Sequence, residues 1–595
     1  MSVITDLTAE QRSFAEHGSA AFVHACPGAG KTRTIIARLA KISESLPARR
    51  GIAVLSFTNS AVDEFRERCS AADLTSLLKH PSFIGTLDGF VRQFVVLPGC
   101  PITNAVRPLV VDSWDRLGVE IRLTGRNAFQ GSGVSLDLFD PETNVVDPER
   151  IGHAGLQRHV QDHQEQYEQA AASRRRRLLS AGYLSAADAR VEALSLVRDQ
   201  RRGAALGIAL AARFLEVMVD EGQDCNPLDL EILTWLRHHG VRVTIVCDPD
   251  QAIYGFRHGN PADLRAFRES YPADSRLSFS GNFRSSPAIC RLAATLRNDG
   301  REDQAVGDCA AVTHPVVLLA YSGKPNASIG RAFVCQIEAL NLGRARSIVL
   351  AHAGKVAQRA ASDLASSDSS GGSRVEAVAR AVSEFWSAAA SPRSREHTVQ
   401  TIETLLLDLM GLRDKDEHLA RALKRGCLDV REHRRRALNV LADLPRVCAE
   451  GDAAQDDWVA CLQAKVDALR LQLPPGQTAR GFLRKPRTGK WSSHLRAPVE
   501  LGLRSSTIHE AKGHQYDAVC CVIPPNRAPK NHTDSLCTSW EQRTDAEAKR
   551  VLYVGVTRSR QLTVLAVPSA LADRIETLLS AGGVPYVRQE VTDDG

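Results

Sequence analysis

Short apolar runs alternate with stretches of helical spacing along the first half of the chain. Apolar runs lie at 20–25, 53–57, 83–86, 215–219 and 241–247. Runs this short, followed by helical patterns such as 33–42, predict buried strands joined by helices. Strands that alternate with helices favour a doubly wound parallel sheet, which binds its ligands at the carboxyl ends of the strands.

The same alternation returns in the second half, and polar stretches interrupt both halves. Apolar runs at 316–320, 347–351, 518–523 and 562–567 predict a second sheet. The sequence therefore predicts an α/β fold with two parallel-sheet cores, each carrying a mostly helical inserted subdomain. The first core is assigned to 1–100 and 207–278 with insertion 101–206, and the second to 279–373 and 500–595 with insertion 374–499. Residues 524–544, rich in Pro, Asn, Lys and Ser, are predicted to form a loop.

Composition adds limits on the protein class. A chain of 595 residues is too long for one core, and 43% hydrophobic with 24% charged residues is ordinary for globular proteins. We find no run of about 18 apolar residues and no secretory signal at the N-terminus, so we expect no membrane partner and a cytoplasmic location. The 14 cysteines show no zinc-binding spacing, and we expect most of them to be reduced and buried.

A formal net charge of +6 permits a polyanionic partner without proving one. Two arginine runs, at 174–177 and 434–436, lie in polar helical segments. Each run is either a solvated helical face or a stripe that contacts phosphates, and the sequence leaves both alternatives open.

The strongest chemical signal is a phosphate-binding P-loop between the first strand and the first long helix. It comprises Ala25, Cys26, Pro27, Gly28, Ala29, Gly30, Lys31 and Thr32, and Arg33 continues into the helix. Glycines let backbone N–H groups point at a phosphate, Lys31 brings a positive charge to the β- and γ-phosphate oxygens, and the Thr32 hydroxyl ligates Mg²⁺. Ala25 stands where the strict pattern has Gly, and the alternative is a glycine-rich turn before a helix. We assign all these residues to nucleotide binding.

Two adjacent acids end a later strand, in the sequence LEVMVDEGQD at 215–224. In phosphoryl transfer one carboxylate holds Mg²⁺ while the next positions and deprotonates the attacking water. We assign Asp220 to the metal and Glu221 to the water. Isolated acid pairs are usually surface residues, but the apolar strand and the P-loop favour the catalytic role.

At this point the chain resembles the UvrD/Rep/PcrA branch of superfamily 1 helicases, whose signature blocks follow in order along nearly the whole chain. The resemblance implies two RecA-like cores, the cofactors ATP and Mg²⁺, and single-stranded DNA or single-strand/duplex junctions as partners. In the block LTAEQ at 7–11, Gln11 would hydrogen-bond adenine. In SFTNS at 56–60, Thr58 and Asn59 would contact DNA, as would Thr86 in GTLDGF at 85–90. The family commonly has His where Asp88 stands.

The next blocks imply contacts to both ligands. In CDPDQAIYGFR at 247–257, Gln251 would sense the γ-phosphate, while Tyr254, Phe256 and Arg257 would contact DNA. The family often carries Trp in place of Phe256, and a Phe ring still offers a stacking surface. The alternative for Phe256 is an aromatic side chain packed in the core.

The second-half blocks complete the set. In NFRS at 282–285, Phe283 would stack on adenine and Arg284 would reach the γ-phosphate. In TIHEAKG at 507–513, Thr507 and His509 would contact the DNA backbone. Gln515 stands where the family has a ribose-binding Glu.

The block VLYVGVTRSR at 551–560 supplies Arg558 as the family's arginine finger. We expect Arg284 and Arg558 to come from the second core and to act with Lys31, Asp220, Glu221 and Gln251 in catalysis. The resemblance thus implies an ATP-dependent 3′–5′ translocase and DNA helicase, in which ATP hydrolysis between the cores drives strand movement.

One alternative is a motor or sensor subunit that regulates a partner nuclease, as in Gabija-type antiviral defence, and that unwinds little alone. It competes with a role in DNA repair or replication restart. A second alternative, an inactive helicase kept as a scaffold, is disfavoured because Lys31, Glu221, Arg284 and Arg558 are all present.

Overall fold

Contacts between residues divide the chain into two units. The structure is a computed structural model that describes residues 7–99, 109–111, 113–129, 133–151, 154–253, 261–362, 373–386, 392–413, 419–449, 451–486, 491–495, 501–525 and 532–591. Unit 1 comprises Met1–Cys290 and Arg301–Ala311, and unit 2 comprises Arg291–Gly300 and Val312–Gly595. The structure thus groups 279–290 with the first core, whereas the sequence assigned them to the second. The pairing of β11 (Gly281–Asn282) with β12 (Gln304–Ala305) lies within unit 1.

A six-stranded sheet forms the centre of unit 1. Its strand order is β10-β1-β9-β8-β2-β3, and all neighbouring pairs are parallel. The remaining described strands of the unit form short two-stranded pairs. The strands before β11 are β1 Phe22–Ala25, β2 Gly51–Ser56, β3 Phe83–Thr86, β4 Leu109–Val111, β5 Glu120–Ile121, β6 Val134–Ser135, β7 Tyr183–Ser185, β8 Phe214–Asp220, β9 Arg242–Cys247 and β10 Arg276–Phe279.

Both faces of this sheet are covered, which explains why its strands have continuous apolar runs. Along β2, Ala53 and Leu55 belong to one buried cluster, and Ile52 and Val54 belong to the other. Alternate side chains of a strand point to opposite faces, so a strand between two helical layers needs apolar residues at every position. The predicted parallel sheet is confirmed.

Helices of unit 1 cover the sheet and build the insertion. They are α1 Ala9–Glu16, α2 Lys31–Ser43, α3 Asn59–Ala71, α4 Leu87–Phe90, α5 Leu97–Gly99, α6 Ala154–Asp162, α7 Gln164–Ser180, α8 Ala186–Arg198, α9 Gln200–Arg213, α10 Pro227–His238 and α11 Pro261–Glu269. A separate buried cluster, which includes Trp114, Leu136 and Tyr167, lies between β3 and β8 in the chain. The helical insertion therefore has its own apolar core.

One arginine of the run at 174–177 is part of the core. The sequence analysis considered only a solvated helical face or a stripe that contacts phosphates. Arg175 is buried, its Nε lies 2.9 Å from Oδ1 of Asp188, and its Nη1 donates to the Asp140 carbonyl at 2.8 Å. Its neighbours Arg174, Arg176 and Arg177 are exposed. The run therefore joins one core arginine to three surface cations.

Unit 2 repeats the parallel-sheet architecture. Its six-stranded sheet has the order β15-β14-β16-β17-β13-β18, again with parallel pairs throughout. The strands are β13 Val316–Tyr321, β14 Ser347–Ala351, β15 Arg504–Thr507, β16 Tyr516–Val522, β17 Ser559–Pro568 and β18 Tyr586–Glu590. The two edge strands, β15 and β18, are more polar than the central strands, and sequence analysis did not predict them. The prediction of two parallel-sheet cores is confirmed.

Helices of unit 2 include a second apolar cluster outside its sheet. After α12 Pro287–Thr295, which crosses the boundary between the units, they are α13 Ala327–Ala339, α14 Gly354–Ala361, α15 Arg374–Trp386, α16 Pro392–Leu409, α17 Leu419–Arg425, α18 Val430–Asp443, α19 Asp452–Ala468, α20 Ala479–Phe482, α21 His532–Glu541, α22 Glu547–Val556 and α23 Ser569–Ala581. The cluster, which includes Val378, Leu441 and Trp458, is built mainly from α15, α16, α18 and α19. The predicted loop at 524–544 is wrong for α21, where Leu536, Cys537 and Trp540 are buried.

Among the described helices, none is both long and apolar enough to cross a bilayer.

Candidate nucleotide and DNA site

Three neighbouring strands of unit 1 bring the predicted nucleotide-site groups to one edge of the sheet. β1 leads into the loop before Lys31, β8 ends at Asp220, and β9 ends just before Asp248. In the sheet, β9 lies between β1 and β8 and is parallel to both. Because the carboxyl ends of parallel strands share one edge, the loop and the acids converge.

The loop at 26–30 has the backbone shape that phosphate binding needs. Gly28 and Gly30 both have φ of 73°, in the left-handed region that favours glycine. A Cβ on Gly28 would lie 2.6 Å from the Cβ of Arg284 and 2.6 Å from Oδ1 of Asn282. Helix α2 begins at Lys31, so the backbone N–H groups of its first turn lie at the loop. The glycine at 28 is therefore required for both conformation and space.

Lys31 forms an ion pair at the centre of the site. Its Nζ lies 3.1 Å from Oε1 of Glu221, and the exposed fractions of the two side chains are 12% and 29%. Burial alone would lower the pKa of Lys31, but the negative charges of Glu221, Asp220 and Asp248 outweigh it and leave the pKa raised. The lysine is therefore held as a cation.

The two acids at the end of β8 occupy different environments. Asp220 is buried, and this burial, with the nearby charge of Glu221, raises the pKa of Asp220 to about 7. Glu221 adopts the left-handed conformation, with φ of 56°, which is uncommon for a residue other than glycine. Strain of this kind clusters at functional sites, and here it turns the chain sharply after the strand.

A chain of hydrogen bonds links the acids of β8 to those after β9. The Gln223 side chain donates to Oε2 of Glu221 and accepts from the backbone N–H of Asp248 at 3.1 Å. Oδ2 of Asp248 then accepts from Nε2 of Gln251 at 2.8 Å. Gln251, the predicted γ-phosphate sensor, is thereby connected to Glu221 through two intermediate residues, Asp248 and Gln223.

Gln11 contacts the P-loop directly. It closes a capping box with Thr8 at the start of α1, and its Nε2 donates to the Ala29 carbonyl at 2.8 Å. The amide that would read adenine is thus held against the loop that would hold the phosphates.

The block at 282–285 also lies against the P-loop. The backbone N–H of Phe283 donates to the Gly28 carbonyl at 2.9 Å, and the N–H of Arg284 donates to Oδ1 of Asn282 at 2.9 Å. Both residues belong to unit 1. The expectation that Arg284 comes from the second core is therefore wrong, because 276–279 pairs with β1 and carries the following block to the loop.

A fully hydrogen-bonded arginine anchors the elements behind this site. Arg38 of α2 donates from Nε and Nη2 to the two carboxylate oxygens of Glu216 in β8, at 2.9 and 3.0 Å. Its other N–H groups bond the carbonyls of Phe14, His17 and Ser19 at 2.8 to 2.9 Å. Sequence analysis missed this network, which ties α1 and the P-loop helix to the strand that carries Asp220.

The predicted nucleic-acid contacts of unit 1 lie at the ends of β2 and β3. Thr58 caps α3 by accepting from the Ala61 N–H, and Thr86 caps α4 by accepting from the Gly89 N–H. Asn59 begins α3 and is exposed. The predicted contacts Tyr254, Phe256 and Arg257 lie outside the described residues.

In unit 2, the remaining predicted residues lie around β15 and β16. Thr507 ends β15 and caps the following turn by accepting from the Glu510 N–H at 3.1 Å. The ring centroids of His509 and His352 lie 5.5 Å apart. His352 follows β14, and the sequence analysis did not single it out. Gln515 is exposed. Arg558 is buried, and its Nε donates to the Val554 carbonyl at 3.0 Å.

The donor groups of unit 1 suit a hard cation such as Mg²⁺. Thr32 offers a hydroxyl at the start of α2, and the Asp220 carboxyl group lies close enough to Lys31 to raise the pKa of that lysine, together with Glu221 and Asp248. Oxygen ligands are those that Mg²⁺ prefers. His24, which the sequence analysis missed, lies 3.9 Å from Asp248, and with Asp250 it forms a second group of possible ligand atoms within 4.8 Å of one another.

Comparisons with known proteins place the first part of the chain in a family. A profile of the UvrD/REP helicase N-terminal domain family matches residues 7–272, the part of the chain that contains Lys31, Glu221 and Gln251.

Similar proteins include several named DNA helicases. The ATP-dependent DNA helicase UvrD2 of Mycobacterium tuberculosis is 25% identical over 576 residues, which cover 90% of this chain and 74% of the relative. DNA helicase II of Escherichia coli is 24% identical over 299 residues, covering 49% of this chain and 40% of the relative. The ATP-dependent DNA helicase PcrA of Leuconostoc citreum is 25% identical over 289 residues, with 46% and 36% covered.

Proposed function

We propose that this chain is a translocase that moves 3′ to 5′ along single-stranded DNA and opens single-strand/duplex junctions. The premise is that the chain belongs to the UvrD/Rep/PcrA-like superfamily 1 DNA helicases, which are ATP-hydrolysing enzymes. The proposal extends family membership to a direction and a substrate. The proposed translocase has only a slight preference for particular DNA sequences, because phosphate contacts and base stacking carry little base-specific information.

The observation that carries the proposal is the ion pair of Lys31 with Glu221 beside Asp220. A cation for the phosphates and two carboxylates with different environments lie at the carboxyl edge of one sheet. This is the arrangement that phosphoryl transfer to water needs, because that chemistry depends on positioning and charge stabilisation.

Each residue then has a role in the proposed reaction. Lys31 binds the β- and γ-phosphates, Glu221 orients and deprotonates the attacking water, and Gln251 responds to the γ-phosphate. Thr32 and Asp220 would hold Mg²⁺, which neutralises phosphate charge when bound.

Arg284 and Arg558 stabilise the charge that spreads over the transferred group. Gln11 and Phe283 would select adenine, and Gln515 would contact the ribose.

Steady-state ATP hydrolysis with and without single-stranded DNA tests the motor. We expect DNA to stimulate hydrolysis in the wild-type chain and Lys31→Ala to abolish it, while Lys41→Ala, on an exposed part of the same helix, retains it. Stimulated hydrolysis by Lys31→Ala would contradict the assignment.

Unwinding of duplexes that carry one single-stranded tail tests direction. The proposal expects strand separation with a 3′ tail and little with a 5′ tail, and the reverse preference would overturn the polarity. Regulation of a partner nuclease in antiviral defence stays a prediction of the sequence. Robust unwinding by the chain alone would favour the autonomous motor over that alternative.

A further inference from the structure

An acidic residue lies among the predicted nucleic-acid contacts of unit 1. Asp88 follows Thr86 by two residues in α4, directly after β3. β2 and β3 are adjacent and parallel, with Ser56 opposite Thr86, so Thr58 and Asn59 lie at the same edge. The Asp88 side chain is 46% exposed. A negative charge in this place repels phosphates, unless a neighbouring group offsets it.

The structure shows which group Asp88 contacts. Nη2 of Arg190, in α8, lies 2.6 Å from Oδ1 of Asp88. Nε of the same guanidinium lies 2.9 Å from Oδ1 of Asp229, which is buried at the start of α10. One arginine therefore bridges two carboxylates, one buried and one at the predicted DNA edge.

The charges of this triad determine its effect on a polyanion. Asp229 already neutralises Arg190, because their pair is buried and hydrogen-bonded. Asp88 adds a second carboxylate and leaves the triad with a net charge of −1. Without the charge of Asp88, the pair of Arg190 with Asp229 would be neutral, and the edge would carry one negative charge fewer.

We propose that Asp88 limits the grip of the chain on single-stranded DNA. Its carboxylate makes the group of Arg190, Asp229 and Asp88 net negative beside the end of β3, and it occupies an Nη group of Arg190 that could otherwise donate to a phosphate. The inference rests on the proposed function, since it needs DNA to pass the edge formed by Thr58, Asn59 and Thr86. Its consequence is weaker binding and faster release at this place, which suits a chain that must move along its substrate.

Removing the charge of Asp88 tests the proposal as a gain of affinity. In Asp88→Asn the amide keeps a hydrogen-bond acceptor for Arg190 but loses the negative charge. We expect single-stranded DNA to bind about 3- to 10-fold more tightly at low salt, and the plot of log affinity against log salt to steepen by about 0.7, the value for one more phosphate contact on a single strand. Asp88→Glu, which keeps the charge, should bind like the wild type.

The chain offers a matched control on the same two helices. Glu231 of α10 pairs with Arg198 of α8 at 2.7 Å, and its side chain is 37% exposed. Glu231→Gln removes the same charge from a similar ion pair, without touching the predicted DNA edge. We expect its affinity and salt dependence to equal those of the wild type.

The outcomes separate this inference from the proposed function. Tighter binding by Asp88→Asn alone supports the inference, whereas equal or weaker binding than the wild type overturns it. An equal gain in Glu231→Gln also overturns it, because net charge alone would then explain the effect. A wild-type chain that binds no single-stranded DNA would instead contradict the proposed function.

Asp88→Asn is expected to fold, because Asp88 is half-exposed and Asp229 keeps Arg190 paired. Asp88→Ser provides a second uncharged variant.

Discussion

Nζ of Lys31 lies 3.1 Å from Oε1 of Glu221, so the phosphate-binding cation and the proposed water-activating carboxylate are each other's partners in this structure. A phosphate that enters the loop must compete with Glu221 for the lysine. The ion pair therefore couples nucleotide binding to the release of the carboxylate that the reaction needs.

Glu221→Gln should separate nucleotide binding from turnover. The amide cannot accept a proton from water, so we expect hydrolysis to fall by at least about 100-fold. Lys31 loses a competing charge, so ATP should bind at least as tightly as in the wild type. Equilibrium binding of a fluorescent ATP analogue and steady-state turnover measure the two effects. Glu269→Gln, at an exposed ion pair with Arg276, is the control and should change neither quantity.

Gly28→Ala should disable the P-loop through sterics and backbone strain. A Cβ there would meet Arg284 and Asn282 at 2.6 Å, and the φ of 73° disfavours any side chain. We expect loss of nucleotide binding, with a lower midpoint of thermal unfolding. Gly18→Ala, where an added Cβ meets no atom within 4 Å, should leave both unchanged. Normal ATP binding by Gly28→Ala would contradict the described loop.

Asp220→Asn should stabilise the chain at alkaline pH when metal and nucleotide are absent. In the folded chain the pKa of Asp220 is about 7, compared with the ordinary value of 3.8 for an aspartate side chain. The group therefore contributes stability below about pH 4 that is lost as the pH rises through about 7.

The Asn variant has no such titration. Its gain in the free energy of unfolding over the wild type should grow from near zero at pH 4 to about 1–3 kcal/mol at pH 8. Urea unfolding in a chelating buffer measures the difference, with Asp63→Asn, an exposed residue on α3, as the control. A difference that does not vary with pH would rule out the raised pKa as its cause.

Glu216→Gln should destabilise unit 1 far more than the loss of a surface ion pair. Arg38 and Glu216 are 1% and 0% exposed, and breaking a buried pair leaves an uncompensated charge. We expect a loss of about 3–5 kcal/mol in the free energy of unfolding, against less than about 1 kcal/mol for Glu231→Gln at the half-exposed Arg198 pair. Similar losses in the two variants would argue against the buried network.

Arg558→Ala should spare ATP binding and slow turnover. An arginine that acts on the transferred phosphoryl group contributes to the transition state more than to the ground state, so we expect turnover to fall by about 10³-fold or more. The two quantities are measured as the dissociation constant for ATP and the rate at saturating ATP. Arg574→Ala, at the surface pair with Glu541, is the control. A loss of affinity as large as the loss of turnover would contradict the finger role.

Prediction of the strands succeeded in the centre of the second sheet, where both faces are buried, and failed at the two edges of that sheet. β14, a central strand, begins and ends where its apolar run does, because a strand covered on both faces needs apolar residues throughout. β15, RSST, and β18, YVRQE, form sheet edges and contain mostly polar residues. Their positions depend on backbone pairing with neighbours rather than on a hydrophobic pattern.

The sequence by itself determined which chemical groups this protein has and their order along the chain. The P-loop of Lys31 and the acids Asp220 and Glu221 are readable because local chain geometry demands those residue types at those positions. Only the tertiary structure decided that β9 lies between β1 and β8, that Arg284 lies against Gly28, and that Arg190 pairs with Asp88. These relations join distant parts of the chain through strand order and packing, and local patterns of polarity do not specify which distant partners will meet.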